Sequence, residues 1–292
     1  MPLKILVTGA TGQVGRRVVE TLQEDPSLEV TAAVRSLSKG KNLGVPLVEL
    51  DLDKIETFAP ALARIDHVFL MTGYTVDMLQ QSKVFLDVAA KAGVRHVVHL
   101  GACGDDEATV AHWVWHQLIE RYIEWRGFSF THLRPEQFMQ NLLGYGGKPT
   151  VINGVIEQYF GNARLSWVDC EDVAAVAAVC LSDAKAHHGQ TYRMGYDAQS
   201  LDDVATILTS VIGMPFRYDA RPPEEFLAKV LAAGADPAYM ECVYQHYLAY
   251  AQGKIPHPDQ VFDNFEGLTG RKAVTWRTFA QKHAEVFRAG FK

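Results

Sequence analysis

The chain has 292 residues, 48% hydrophobic and 21% charged, enough for one large domain or a main domain with a smaller lobe. A formal charge of −6 without any basic cluster argues against a nucleic-acid surface, and no apolar run approaches the roughly 20 residues of a membrane span. Cys103, Cys170, Cys180 and Cys242 are scattered without CxxC spacing, which speaks against a zinc knuckle or a disulfide framework and for a reduced, cytoplasmic setting. The amino terminus, Met1-Pro2-Leu3-Lys4, runs directly into an apolar strand and leaves no room for a signal peptide, in keeping with that expectation.

The first predicted strand empties into Thr8-Gly9-Ala10-Thr11-Gly12-Gln13-Val14-Gly15, three glycines at spacing three followed by a helix with Val14, Val18, Val19 and Leu22 on one face. This is the pattern of a dinucleotide-binding turn. Gly9 allows the tight reversal, Gly12 lets backbone approach a pyrophosphate, and Gly15 lets the helix lie close on its strand. The helix N-terminus then faces the phosphates with unpaired N–H groups. A second strand, Glu29 to Val34, ends at Arg35, at the position about 20 residues beyond the glycines where an acid would bind a ribose 2′-hydroxyl. A guanidinium there suits a 2′-phosphate, so NADP(H) is expected, with NAD(H) as the weaker alternative.

Further apolar runs at Leu47–Leu50, His67–Met71, Val94–Leu100 and Phe128–Leu133 alternate with helical stretches such as Met78–Ala92. The alternation predicts an α/β fold, a Rossmann-type doubly wound parallel sheet with helices on both faces. Ligands of such sheets lie beyond the carboxyl ends of the strands. Expected cofactor contacts are therefore Gly9, Thr11, Gly12, Gln13 and Val14 in the turn, Arg35, then Asp51, Leu52, Met71, Thr72, Gly73, Gly101 and Ala102 at later strand ends. Beyond about residue 195 prolines break up helical segments such as Glu224–Ala233 and Tyr239–Ala251, which predicts a Rossmann domain over 1–195 and a smaller, mostly helical lobe over 196–292. Tyr239, Tyr244, Tyr247 and Tyr250 there have near-helical spacing and are read as packing.

Four segments carry a family resemblance: TGATGQVG, His112 to Asn141, Ser166 to Leu181, and the late run EGLTGRKAVTWRTFAQKHAEVF. Together they resemble the NmrA-like branch of the atypical short-chain dehydrogenase/reductases, most similar to its bacterial NAD(P)H azoreductases and quinone reductases. The LRP-x-x-F-x-x-N element, Leu133, Arg134, Pro135, Phe138 and Asn141, is the most specific part. The resemblance implies a carboxyl-terminal lobe over the nicotinamide, cofactor contacts from Pro135, Gln137 and Phe138, and a segment 136–160 on the substrate side.

Short-chain dehydrogenases that reduce carbonyls use Ser, Tyr and Lys to protonate a developing alkoxide. Here Gly101, Ala102 and Cys103 stand where the serine belongs, and His112 and His116 occupy the tyrosine-to-lysine spacing. Hydride transfer to an acceptor that delocalises negative charge survives this loss, which points to a small aromatic acceptor such as a quinone or an azo compound. His116 is the candidate proton donor, its ordinary pKa lying near neutrality, and Trp113, Trp115, Phe138 and Tyr145 are candidate walls of an aromatic pocket. His112 and His116 lack the HExxH glutamate and a third ligand at telling spacing, so no metal site is expected of them. The alternative is a non-catalytic NADP(H)-binding redox sensor that works through a protein partner. A reductase of phenolic ethers is disfavoured because that group needs a lysine where His116 stands.

Overall fold

A computed structural model describes residues 2–144 and 149–291. It contains two compact units. The first comprises 1–135, 170–193 and 267–270; the second comprises 136–169, 194–266 and 271–292.

The first unit is built on β1 (Leu3–Val7), β2 (Leu28–Val34), β3 (Leu47–Glu49), β4 (His67–Met71), β5 (His96–Leu100) and β6 (Ser129–Pro135), which pair in parallel in the order β6-β5-β4-β1-β2-β3. The strand Gln190–Met194 extends the sheet beside β6. Strand order reverses between β1 and β4, and this reversal opens a crevice at their carboxyl ends. The central strands read as apolar runs because both faces are covered: Val68, Phe69 and Leu70 of β4 have no exposed surface.

One face carries α2 (Phe58–Ala61), α3 (Met78–Ala92) and α4 (Ala111–Trp125), whose Phe58, Phe85, Leu86, Ile119 and Ile123 pack on Leu6, Val68, Leu70 and Val97 in one apolar cluster. Along α3 the buried residues Met78, Ser82, Phe85, Leu86 and Ala89 keep helical spacing, and Gly93 at φ 88° ends the helix. On the other face α1 (Gln13–Leu22) packs against α5 (Cys170–Ser182), which also runs over β4, β5 and β6. Apolar nearly all round, α5 is buried along its length.

The predicted strands and the helix Met78–Ala92 appear within two residues of their expected ends. The second unit holds a sheet of Gln137–Phe138, Arg164–Val168 and Asp197–Ser200, a parallel pair of Val155–Gln158 with Arg217–Ala220, and helices including Leu201–Ile212, Pro223–Ala232 and Pro237–Ala251. Two of its tyrosines pack as expected. Tyr247 lies edge-on to Phe160 and Phe226, and Tyr250 to Phe160. All four cysteines are free, and no described helix is long and apolar enough to cross a membrane.

Candidate functional site

The turn after β1 has the geometry its glycines require. Gly9 stands at φ +59°, and a Cβ there would lie 2.0 Å from Met71 Cε. The Gly12 N–H donates to Gly9 O at 2.8 Å, closing the turn. At Gly15 a Cβ would lie 2.3 Å from Gly9 O, so α1 approaches the turn as closely as backbone permits. Thr8 ties the two strand ends together, its Oγ1 accepting from the Met71 N–H at 2.8 Å.

Gly12 caps α1 in an extended conformation with no side-chain cap, and no acid stands in the first helical turn. The first-turn N–H groups are therefore neither capped by a side chain nor opposed by a carboxylate, the arrangement that favours a bound anion.

This turn opens a cleft of about 610 Å³, lined along one wall by Thr8, Gly9, Thr11 and Gly12, and elsewhere by Arg35, Asp51, Leu52, Met71, Thr72 and Gly73. Nine of the residues read as cofactor contacts from the sequence thus meet in one cavity: Gly9, Thr11, Gly12, Arg35, Asp51, Leu52, Met71, Thr72 and Gly73. Gln13, Val14, Gly101, Ala102 and Pro135 do not line it, and Gln137 and Phe138 belong to the second unit. There the Gln137 side chain is buried, its Nε2 within 3.5 Å of Tyr250 Oη.

Sequence reasoning missed Ser36 and Lys39, which line the cleft beside Arg35. The signal was the run Arg35-Ser36-x-x-Lys39 at the strand end, two cations and a hydroxyl suited to a phosphate.

A second group of polar side chains lies under α4. Residues 97 and 99 share one face of β5, as do 130, 132 and 134 on β6, and the register pairs His99 with His132. Opposite them α4 presents His112, His116, Glu120 and Glu124 at successive i, i+4 spacing. His116 Nδ1 lies 3.3 Å from His99 Nε2. Glu120, with no exposed surface, accepts from Arg134 Nε at 3.0 Å and Nη2 at 2.5 Å, and Nη2 also reaches Asp106 Oδ1 at 2.7 Å.

Burial, and then the neighbouring His112, pushes the His116 imidazole down to about 3, so the expectation of a near-neutral proton donor is corrected: His116 is a neutral imidazole. Burial likewise lowers His112 to about 4 and holds His99 well below its ordinary value.

Trp113 is buried, with Cε3 2.9 Å from where a Gly104 Cβ would stand, and Trp115 packs on the apolar cluster under α4. Neither lines the cleft. Tyr145 lies outside the described residues.

The profile of the NmrA-like family matches residues 1–280. The NAD(P)H azoreductase of Xenophilus azovorans is 32% identical over 292 residues, covering 98% of this chain and 99% of its own. Quinone oxidoreductase 2 of Escherichia coli is 26% identical, covering 97% and 98%. In fold, the Citrobacter sp. triphenylmethane reductase solved with NADP(H) superposes with a TM-score of 0.81 at 24% identity, over 96% of this chain and 99% of that one. With a profile match over nearly its whole length and a relative of this identity end to end, the chain belongs to the NmrA-like family.

Proposed function

We propose that this protein is an NADPH-dependent reductase that passes hydride to an aromatic, charge-delocalising acceptor of the quinone or azo type. The observation that carries it is the cleft in which a glycine turn, an uncapped helix N-terminus and the cations Arg35 and Lys39 converge. Those residues fit NADP(H): a side chain at Gly9 would fill the turn, α1 supplies N–H groups for the pyrophosphate, and Arg35 with Lys39 suits a 2′-phosphate. The bound nucleotide supplies the hydride. The 32% identical azoreductase and the quinone oxidoreductase supply the acceptor class.

The chain's own share of the chemistry is to orient and to hydrogen-bond. Of the two histidines that meet at 3.3 Å, His99 is fully buried, and its Nδ1 has no hydrogen-bond partner among the described residues. A buried orphan lone pair costs less than a buried orphan N–H, so His99 donates through Nε2–H to His116 Nδ1. His116 is thereby fixed as the Nε2–H tautomer, a neutral donor for an acceptor that needs no strong acid. This reading gives no part to a Ser-Tyr-Lys constellation, because Gly101, Ala102 and Cys103 stand where the serine belongs.

Anaerobic assay of NADPH oxidation against quinones, azo dyes and simple ketones tests this reading. Turnover is expected with the first two and little with aliphatic ketones, whose alkoxide needs a stronger proton donor. His116→Ala is expected to lower the rate about 10- to 100-fold, at or below the low end for removing a general acid. Tight NADPH binding without turnover of any acceptor would overturn the assignment in favour of a nucleotide sensor.

Arg35→Ala tests the choice of nucleotide. It removes charge-assisted bonds worth about 1.5–3 kcal/mol, so NADPH affinity is expected to fall about 10- to 100-fold while NADH affinity stays put. Equal losses for both nucleotides in a titration would sink the 2′-phosphate role.

A further inference from the structure

We propose that His99, His132 and Glu120 form a buried binding site for a divalent transition-metal ion of the zinc type, which would pin α4 to β5 and β6. One ligand atom from each of the three residues can be chosen so that all lie within 4.8 Å of one another, and all three residues are buried. Two imidazoles and one carboxylate form a donor set that zinc accepts.

Two further observations point to a ligand there. Among the described residues the Nδ1 atoms of His99 and His132 are both buried with no hydrogen-bond partner, although buried polar atoms are nearly always paired. Each ring is also held from its far side in the manner of a metal-binding histidine, which characteristically gives its second N–H to a carboxylate or another acceptor. His132 Nε2 lies 3.2 Å from Glu124 Oε1, and His99 Nε2 lies 3.3 Å from His116 Nδ1. With both Nε2 atoms engaged, the proposal assigns the Nδ1 atoms as the ligands. Arg134 orients Glu120 through one bond to each carboxylate oxygen, and each oxygen keeps a second lone pair that can ligate.

Charge does not forbid the ion. Glu120, Glu124 and Asp106 stand against Arg121 and Arg134 in this tract, three carboxylates to two guanidiniums. Zinc bonds of roughly 2.0–2.2 Å require ligand atoms closer together than 4.8 Å, so loading would draw the three side chains inward by roughly an ångström. The set has no sequence signature: His99 and His132 meet only through strand register, and Glu120 reaches them only through the phase of α4.

Cobalt(II), a spectroscopic stand-in for zinc, tests the proposal on the intact protein after EDTA treatment. One equivalent is expected to bind with the visible d–d absorption of a low-coordinate site and to be displaced by zinc. His99→Gln and His132→Gln are expected to abolish the signal, Glu124→Gln to weaken binding about 10- to 100-fold as for loss of an outer-shell partner, and the exposed His257→Gln to leave it unchanged. Absence of saturable binding to the folded protein, or binding that survives both histidine variants, would overturn the site. Should those variants fail to fold, 15N-histidine NMR of the wild-type chain decides: zinc is expected to move two Nδ1 resonances while their Nε2 atoms stay protonated, and shifts at no histidine or at other histidines refute the proposal.

Discussion

Acidification from pH 7 to below 5 is expected to cost this protein several kcal/mol of stability, and the steepest contribution comes from histidines buried as neutral rings. Burial, and then the neighbouring His67, lowers His96 to about 3, and burial lowers His67 as well, against the bond from its Nδ1–H to the Leu181 carbonyl at 2.7 Å. These rings meet edge-on beneath α5 with centroids 5.2 Å apart. In the unfolded chain each titrates near 6.5, so below that pH the unfolded state binds protons that the folded state refuses. The neutral-ring stability is complete above 6.5 and is lost as pH falls toward the folded pKa.

For His96, which has no exposed surface, the loss is about 1.4 kcal/mol per pH unit through that window. A domain with about 5–15 kcal/mol in hand cannot survive several such units when further buried histidines pull in the same direction. Urea unfolding at a series of pH values checks this, and His96→Phe is expected to flatten the slope. A midpoint that stays constant between pH 7 and 5 would refute the argument.

The parallel sheet and the cleft were largely legible because their signals are local. A glycine at φ > 0 in Gly9, an approach that leaves no room for a Cβ at Gly15, and a cation at a strand end in Arg35 are each written in a few consecutive residues. Strand ends were legible for the same reason, since apolar runs such as His67–Met71 stop where the chain leaves the core. The polar tract under α4 was not. His99, His116, Glu120 and His132 have no telling spacing in sequence, and the low pKa of His116 is a property of burial that a reference value cannot supply. Trp113, a candidate pocket wall, is ambiguous because an aromatic side chain looks the same in sequence whether it lines a cavity or fills the space against Gly104. The membership of residues 136–169 in the second unit likewise depends on contacts distant in sequence, which a change of texture near residue 195 does not report.

Gly15→Ala is expected to damage both fold and nucleotide binding, through a single methyl group. Its Cβ would stand 2.3 Å from Gly9 O, 2.7 Å from Gly9 C and 3.1 Å from Ala10 Cα, all backbone atoms of the turn. No rotamer change can relieve such contacts, so either α1 moves off β1 or the Gly9–Gly12 turn opens. Moving the helix disturbs the packing of Val14, Val18, Val19 and Leu22, an overpacking cost of about 1–3 kcal/mol. It also carries the first-turn N–H groups away from the phosphates, and a displacement of about 1 Å can cost roughly a hundredfold where geometry decides. Gly12→Ala separates the two effects, because its Cβ would meet Gly9 O at 3.1 Å and Met71 Cε at 3.4 Å, contacts that a few tenths of an ångström relieve. Calorimetric titration with NADPH and thermal unfolding of both variants are expected to show weakened binding in each, with a clear loss of stability in Gly15→Ala alone. Wild-type NADPH affinity in a folded Gly15→Ala protein would mean that the nucleotide does not rest on the amino end of α1.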